Sequence, residues 1–117
     1  MVNDFVFYFE KGLRTNKIGI PAGRFSSLPL PEKIEAYYYS KNGFGNLSKT
    51  LVLEARQAAT EFFTGSNSEG VKGPSYSSYL DYLETEIGPT VETKLEEAKV
   101  SLESLQDNFI DQIADNN

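Results

Sequence analysis

The sequence predicts an all-α protein, an up-and-down helical bundle of about four helices with a long Pro/Gly-rich connection after the first. Two observations carry this. Apolar residues recur at helical spacing in separate stretches, and clusters of glycine and proline punctuate the chain between them. At 117 residues the chain fits one domain, 1–117, with a core of modest size.

The first helix is read from Val2, Phe5, Val6, Phe9 and Leu13, which share one helical face. Met1 and Val2 already belong to that pattern and no capping residue precedes them, so the chain reads as a piece cut from a longer protein. Gly12 loosens the helix near its end, and Gly19, Pro21 and Gly23 stop it. Residues 21–46 form a long connection marked by Pro21, Gly23, Pro29, Pro31, Gly43 and Gly45. Within it, the stretch from Pro31 to Tyr39 is expected to make a turn or two of helix, with Tyr37, Tyr38 and Tyr39 available for packing.

A second helix is expected from Asn46, its N-cap, to about Phe63, burying Leu47, Leu51, Ala55, Ala58 and Phe62. Thr64-Gly65 ends it, and residues 65–73, rich in Gly, Ser and Asn, read as a mobile surface loop. A third, shorter helix from Pro74 to about Glu86 would turn Tyr76, Tyr79, Leu80 and Leu83 inward, until Gly88-Pro89 breaks it. The fourth is expected from about Pro89 to Ala114 on the seam Val91, Leu95, Ala98, Leu102, Leu105, Phe109 and Ile113. At ~1.5 Å per residue such a helix spans roughly 39 Å. Asp107, Asp111 and Asp115 would then oppose the dipole at its C-terminus, a sign that the sequence stops before the structure does.

Charge and composition exclude several classes of function. Eleven basic residues against seventeen acidic ones give a net charge of −6, with the basic residues scattered. Nucleic-acid binding needs a basic face, so no nucleic-acid partner is expected; an anionic membrane surface is disfavoured for the same reason. No apolar run approaches the length of a membrane span and no signal peptide opens the chain. With neither cysteine nor histidine, zinc fingers, thiol catalysis, Ser-His-Asp triads and His-Glu-x-x-His metal sites are excluded within this chain.

The remaining polar groups offer few constellations. Glu10 follows the aromatic run and reads either as a buried carboxylate able to ligate metal or, preferred, as an edge residue paired with Lys11 or Arg14. Glu92, Glu96 and Glu97 alternate with Lys94 and Lys99 on what reads as a solvated face, and Asp107, Asp111 and Asp115 lack the glycine-turned loop of a calcium site. The tyrosines at 37, 38, 39, 76, 79 and 82 read as a core rim with hydroxyls in water, or as a contact surface for a protein or glycan. Gly43-x-Gly45 is too weak for a phosphate loop, and the sequon Asn46-Leu47-Ser48 is accounted for by helix capping.

The segment Phe7-Tyr8-Phe9-Glu10 followed by Lys17-Ile18-Gly19-Ile20-Pro21-Ala22-Gly23 is a helix feeding a rigid glycine-flanked loop. With Pro31-Glu32-Lys33-Ile34-Glu35-Ala36-Tyr37, Phe62-Phe63-Thr64-Gly65 and Gly73-Pro74-Ser75-Tyr76-Ser77-Ser78-Tyr79-Leu80 in that order, the chain resembles the imelysin-like family over nearly its whole length, most of all its Bacteroidetes forms. That family includes insulin-cleaving metallopeptidases and iron-regulated bacterial surface proteins. The resemblance implies a two-bundle protein of which this chain is the C-terminal half, exported to the periplasm or outer membrane, often as a lipoprotein anchored through an upstream lipid. The family's Gly-x-His-x-x-Glu motif belongs to the N-terminal half and has no counterpart here, so no catalytic or metal-binding residue transfers.

The expected function is therefore that of a helical bundle, not catalytic by itself, that forms one wall of an interdomain site. The wall residues are Glu10, Lys17, Gly19, Pro21, Gly23 and Arg24, because a rigid loop at a helix end is a common place for site-forming backbone. Iron or another divalent metal would belong to the full-length protein, with no cofactor in this chain. The expected partners are the N-terminal bundle and, through exposed faces of the first or last helix, a second copy. The alternative is a self-contained protein- or glycan-binding module using the tyrosine-rich surface.

Overall fold

The computed structural model describes residues 1–116. The chain is all-α, as expected: its elements are helices, and an isolated antiparallel bridge between Ser66 and Lys72 is the nearest thing to a strand among the described residues. Among the described residues there are six α-helices where about four were expected: α1 (Val2–Phe7), α2 (Tyr37–Lys41), α3 (Leu47–Thr64), α4 (Tyr76–Tyr82), α5 (Ile87–Glu103) and α6 (Phe109–Asp115).

Helix α1 runs without interruption into a π-helical segment, Tyr8–Gly19. Such a segment is built on amides that reach the carbonyl five residues back, and the pattern persists at the exit, where the Ile20 amide donates to Thr15 at 2.8 Å and the Arg24 amide to Gly19 at 2.9 Å. Long π segments are rare, and isolated ones cluster at functional positions. The wider turn has a packing consequence. Measured from the buried Leu13, α-helical spacing would bring Lys17 to the core, whereas Ile18 packs there beside Phe9. Pro21 lacks the N–H that continuation requires, and the backbone leaves the helix.

The long connection is ordered in pieces. The Leu30 amide donates to the Pro21 carbonyl at 2.9 Å, closing residues 21–30 into a loop. A 3₁₀ turn, Pro31–Lys33, and helix α2 supply the expected short helical pieces. Ala36 separates them in the left-handed region, at φ 59°. The segment expected to be a mobile loop is a hydrogen-bonded turn: the Asn67 side chain accepts from the amides of Glu69 and Val71 at 3.0 and 2.9 Å.

Helix α3 is the centre of the molecule and packs against the π segment, α2, α4 and α5. Its buried stripe lies one residue along from the expected one. Ser48, Val52, Arg56, Ala59, Phe63 and Thr64 are buried, whereas Ala58 and Phe62 are exposed and Leu47, Leu51 and Ala55 only half-buried. Arg56 is the reason the pattern misleads, because a guanidinium with partners can occupy a core position. Asn46 stands at the N-cap of α3 but makes no side-chain capping bond.

Helix α4 starts at a Ser75 capping box and is shorter than expected. Ser77 is its buried residue; Tyr79 and Leu83 stay exposed and Tyr76 and Leu80 are half-buried, because α4 lies at the rim of the α3–α5 pair. Helix α5 starts at Ile87, close to the expected Pro89, and as expected proline lies in its first turn, where it lacks only an N–H that needs no partner.

The long last helix is two helices. Helix α5 ends at Glu103, and α6 restarts at Phe109 with Asn108 as its cap, the Asn108 side chain accepting from the Ile110 amide at 3.0 Å. Ser104 bonds back to the Ser101 carbonyl at 2.7 Å, and such local bonds compete with helix continuation. The break reassigns the aspartates: Asp111 lies in the first turn of α6, where the dipole favours it.

The main core cluster gathers Leu13, Ile34, Val52, Leu102 and Phe109 from five different segments, so the loop, α3, α5 and α6 close over the π segment. The radius of gyration is 16.0 Å, against roughly 13 Å for a compact chain of this length. Much apolar surface stays uncovered, including Val2, Val6, Phe7, Phe62, Tyr79 and Tyr82.

Candidate functional site

The π segment and the loop after it enclose a cavity of 270 Å³ lined by Glu10, Arg14, Thr15, Ile18, Gly19, Arg24 and Phe25. One wall comes from successive turns of the π segment. The other is the loop, which the Arg24 amide pins to the Gly19 carbonyl.

Two glycines make this geometry available. A Cβ at Gly19 would come within 2.8 Å of the Phe25 ring, so the bare backbone is what lets that ring lie against the helix end. Gly23 has φ +78°, and a Cβ there would meet the Pro29 nitrogen at 2.8 Å and the Leu28 carbonyl carbon at 2.9 Å. Both the left-handed conformation and the close approach of the returning strand of the loop require glycine.

The cavity carries excess positive charge. Nη1 of Arg14 donates to both Glu10 carboxylate oxygens, at 2.8 and 2.7 Å, which neutralises that pair. The Arg24 guanidinium has no hydrogen-bond or ion-pair partner among the described residues. In a chain of net charge −6 this is a local inversion of sign.

The six expected wall residues divide. Glu10, Gly19 and Arg24 line this cavity, and Gly23 shapes the loop behind it. Lys17 and Pro21 face the other way, into a smaller cavity of 130 Å³ with Leu105, Phe109 and Ile113. Lys17 is also ion-paired with Glu35, tying the π segment to the chain before α2. Phe25 went unnoticed in the sequence; Arg14 was read only as a partner for Glu10, a pairing the structure has, and not as cavity lining. Arg14 lies four residues after Glu10, a spacing that puts both on one face; Phe25 had no local signal.

A second concave region lies around Phe62. Cavities of 370 and 480 Å³ meet at Met1 and Phe62; the first is lined by Phe5, Tyr8, Ala58 and Ala59, the second by Pro74, Ser75, Tyr76 and Tyr79. Phe5 stacks on Phe62 at 5.2 Å between centroids, and Tyr76 meets Phe62 edge-on at 5.7 Å. Among the described residues the Tyr76 hydroxyl is buried without a hydrogen-bond partner.

The acidic residues are dispersed into separate contacts. Asp107 pairs with Lys49 at 3.2 Å, Asp115 accepts from Gln106 at 2.5 Å, Glu97 pairs with Lys94, and Glu92 accepts from the Ser77 hydroxyl. No cluster of three or more His, Cys, Asp or Glu positioned for a metal ion occurs among the described residues, and no helix among them is long and apolar enough to cross a membrane. Comparison of the chain with protein-family models, curated proteins and solved structures returns no match.

Proposed function

We propose that this chain is the C-terminal helical bundle of an imelysin-like exported bacterial protein, docking on a companion bundle and forming one wall of the cleft between them. The observation that carries the reading is the wall itself: the Lys17–Gly23 motif ends the helix in a loop where Gly23 is required by geometry and Gly19 seats Phe25, and it borders a charged cavity. The aromatic face around Phe62, Tyr79 and Val6, each at least half exposed, supplies apolar surface for the companion. Iron or another divalent metal would be held by the companion bundle, and export and lipid anchoring follow from the resemblance alone.

The test has two parts. The coding sequence upstream of Met1 is expected to carry a helical segment with Gly-x-His-x-x-Glu and an export signal; a start codon with neither overturns the reading. The chain by itself, titrated with Fe²⁺ or Zn²⁺, is expected to show no stoichiometric binding, and tight one-to-one binding would place the metal site here instead.

A second reading, a protein- or glycan-binding module, is favoured by Tyr38, Tyr39, Tyr79 and Tyr82, which are 60–80% exposed. Rings held this open supply contact area at low entropic cost. They sit on two separate short helices, α2 and α4.

A further inference from the structure

We infer that the cavity between the π segment and the 21–30 loop binds a carboxylate carried on an apolar body. The inference names the ligand chemistry of the wall proposed above and rests on that wall being functional surface. Three features of the cavity select this ligand. Glu10 is already satisfied by Arg14, so a cation would find no spare carboxylate there. Arg24 faces solvent with its whole guanidinium fork unspent among the described residues, and Arg14 uses only Nη1 on Glu10. A planar fork with free N–H groups matches a carboxylate two bonds at a time. Beside Thr15, the rest of the lining offers apolar surface: Ile18, and the Phe25 ring, which is 64% exposed and seated by Gly19.

This combination differs from an ordinary surface arginine. The Arg24 amide is fixed to Gly19 and the loop is closed at Pro21 and Leu30, so the guanidinium is presented from a held backbone. Less freedom is lost when it takes a ligand. The carboxylate could be the C-terminus of an apolar peptide or an acidic side chain on a facing protein surface. Both present the same charged group, and small probes separate them.

The experiment records amide and Arg side-chain NMR shifts of the ¹⁵N-labelled chain during titration with three compounds. N-acetyl-phenylalanine presents a terminal carboxylate and a ring, N-acetyl-phenylalanine amide the ring alone, and N-acetyl-aspartyl-phenylalanine amide a side-chain carboxylate beside the same ring. Saturable shifts at Thr15, Gly19, Arg24 and Phe25 are expected with the carboxylates, with Kd on the order of 1 mM, and not with the neutral amide. The tighter of the two acids identifies the source. Arg24→Gln, an exposed position, is expected to weaken binding about tenfold while leaving the circular dichroism spectrum unchanged. Glu10→Gln frees Arg14 and is expected to tighten binding about twofold. Equal shifts with the amide probe, or no shifts at these residues, overturn the inference. Because the chain is measured alone, such a failure leaves the companion-bundle reading to be decided by the upstream coding sequence.

Discussion

The Arg56 Nε–H donates to the Leu95 carbonyl at 3.0 Å across the α3–α5 interface, with the Arg56 side chain only 4% exposed. The same side chain reaches Glu96 at 3.4 Å and Gln57 at 3.0 Å. Glu96 is 61% exposed, so solvent already screens it, and it is not stranded when the arginine is removed. The role of Arg56 is therefore to fill volume and satisfy a carbonyl more than to form an ion pair. Arg56→Ala is expected to lower unfolding free energy by about 2–4 kcal/mol through the cavity it leaves. Arg56→Met, close in volume, is expected to lose less than about 1.5 kcal/mol, and Glu96→Gln under about 1 kcal/mol. Urea denaturation followed by circular dichroism measures all three; a Glu96→Gln loss as large as that of Arg56→Ala would mean that the ion pair, and not the packing, is what Arg56 contributes.

Gly23 and Gly19 sit four residues apart and should respond differently to alanine. At Gly23 the added Cβ meets backbone of residues 28 and 29, which cannot move without opening the loop, and φ is +78°. Gly23→Ala is expected to cost about 1–3 kcal/mol. At Gly19 the nearest obstacle is the outer edge of the Phe25 side chain. That ring can swing into solvent, and alanine is the better helix former. Gly19→Ala is expected to change stability by less than about 1 kcal/mol while displacing the Phe25 resonances in NMR spectra. A Gly19→Ala penalty equal to that of Gly23→Ala would show that the ring is held more firmly than its exposure implies.

The helical class was readable because apolar spacing and Gly/Pro punctuation are local signals. The exit from the first helix near Pro21 and Gly23 was readable for the same reason, although residues 17–19, read as part of the loop, belong to the π segment. What escaped was set by partners distant in sequence. The buried stripe of α3 was misplaced because a buried arginine needs Leu95, thirty-nine residues on, to be tolerated. The π segment carries no mark of its own; its register shows only in which of Lys17 and Ile18 reaches the core. Phe25 entered the cavity through a space that only Gly19 leaves open. The break between α5 and α6 had its own local signs, since Ser104, Asp107 and Asn108 are residues that favour turns and caps, but the apolar seam running across them outweighed those signals.

Tyr76 sits in a conflict between packing and hydrogen bonding on the aromatic face. Its ring packs against Phe62 and Phe5, at 5.7 and 6.3 Å, while its buried hydroxyl lacks a partner among the described residues. A buried unsatisfied hydroxyl is a net cost. Tyr76→Phe keeps the ring contacts and removes the cost, so the isolated chain is expected to gain about 1 kcal/mol, seen as a rise of a few degrees in Tm. A loss of stability instead would mean that ordered water satisfies the hydroxyl.

Asn108 decides whether α6 folds as a separate helix. Its Oδ1 accepts from the Ile110 amide at 3.0 Å, satisfying one of the open donors at the start of α6. Its Nδ2 lies 3.4 Å from the Ser40 carbonyl, a long contact toward α2. The next residue, Phe109, is 7% exposed and belongs to the main core, so fraying here loosens more than a terminus. Asn108→Ala removes both interactions and is expected to cost about 1–2 kcal/mol, with hydrogen exchange rising first in residues 109–113. Asn108→Asp keeps an acceptor for the Ile110 amide and places a negative charge at a helix N-terminus, which the dipole favours. It gives up only the long bond to Ser40, so it is expected to recover most of the loss. If Asp is as damaging as Ala, the link to Ser40 holds α6 in place and the cap is secondary.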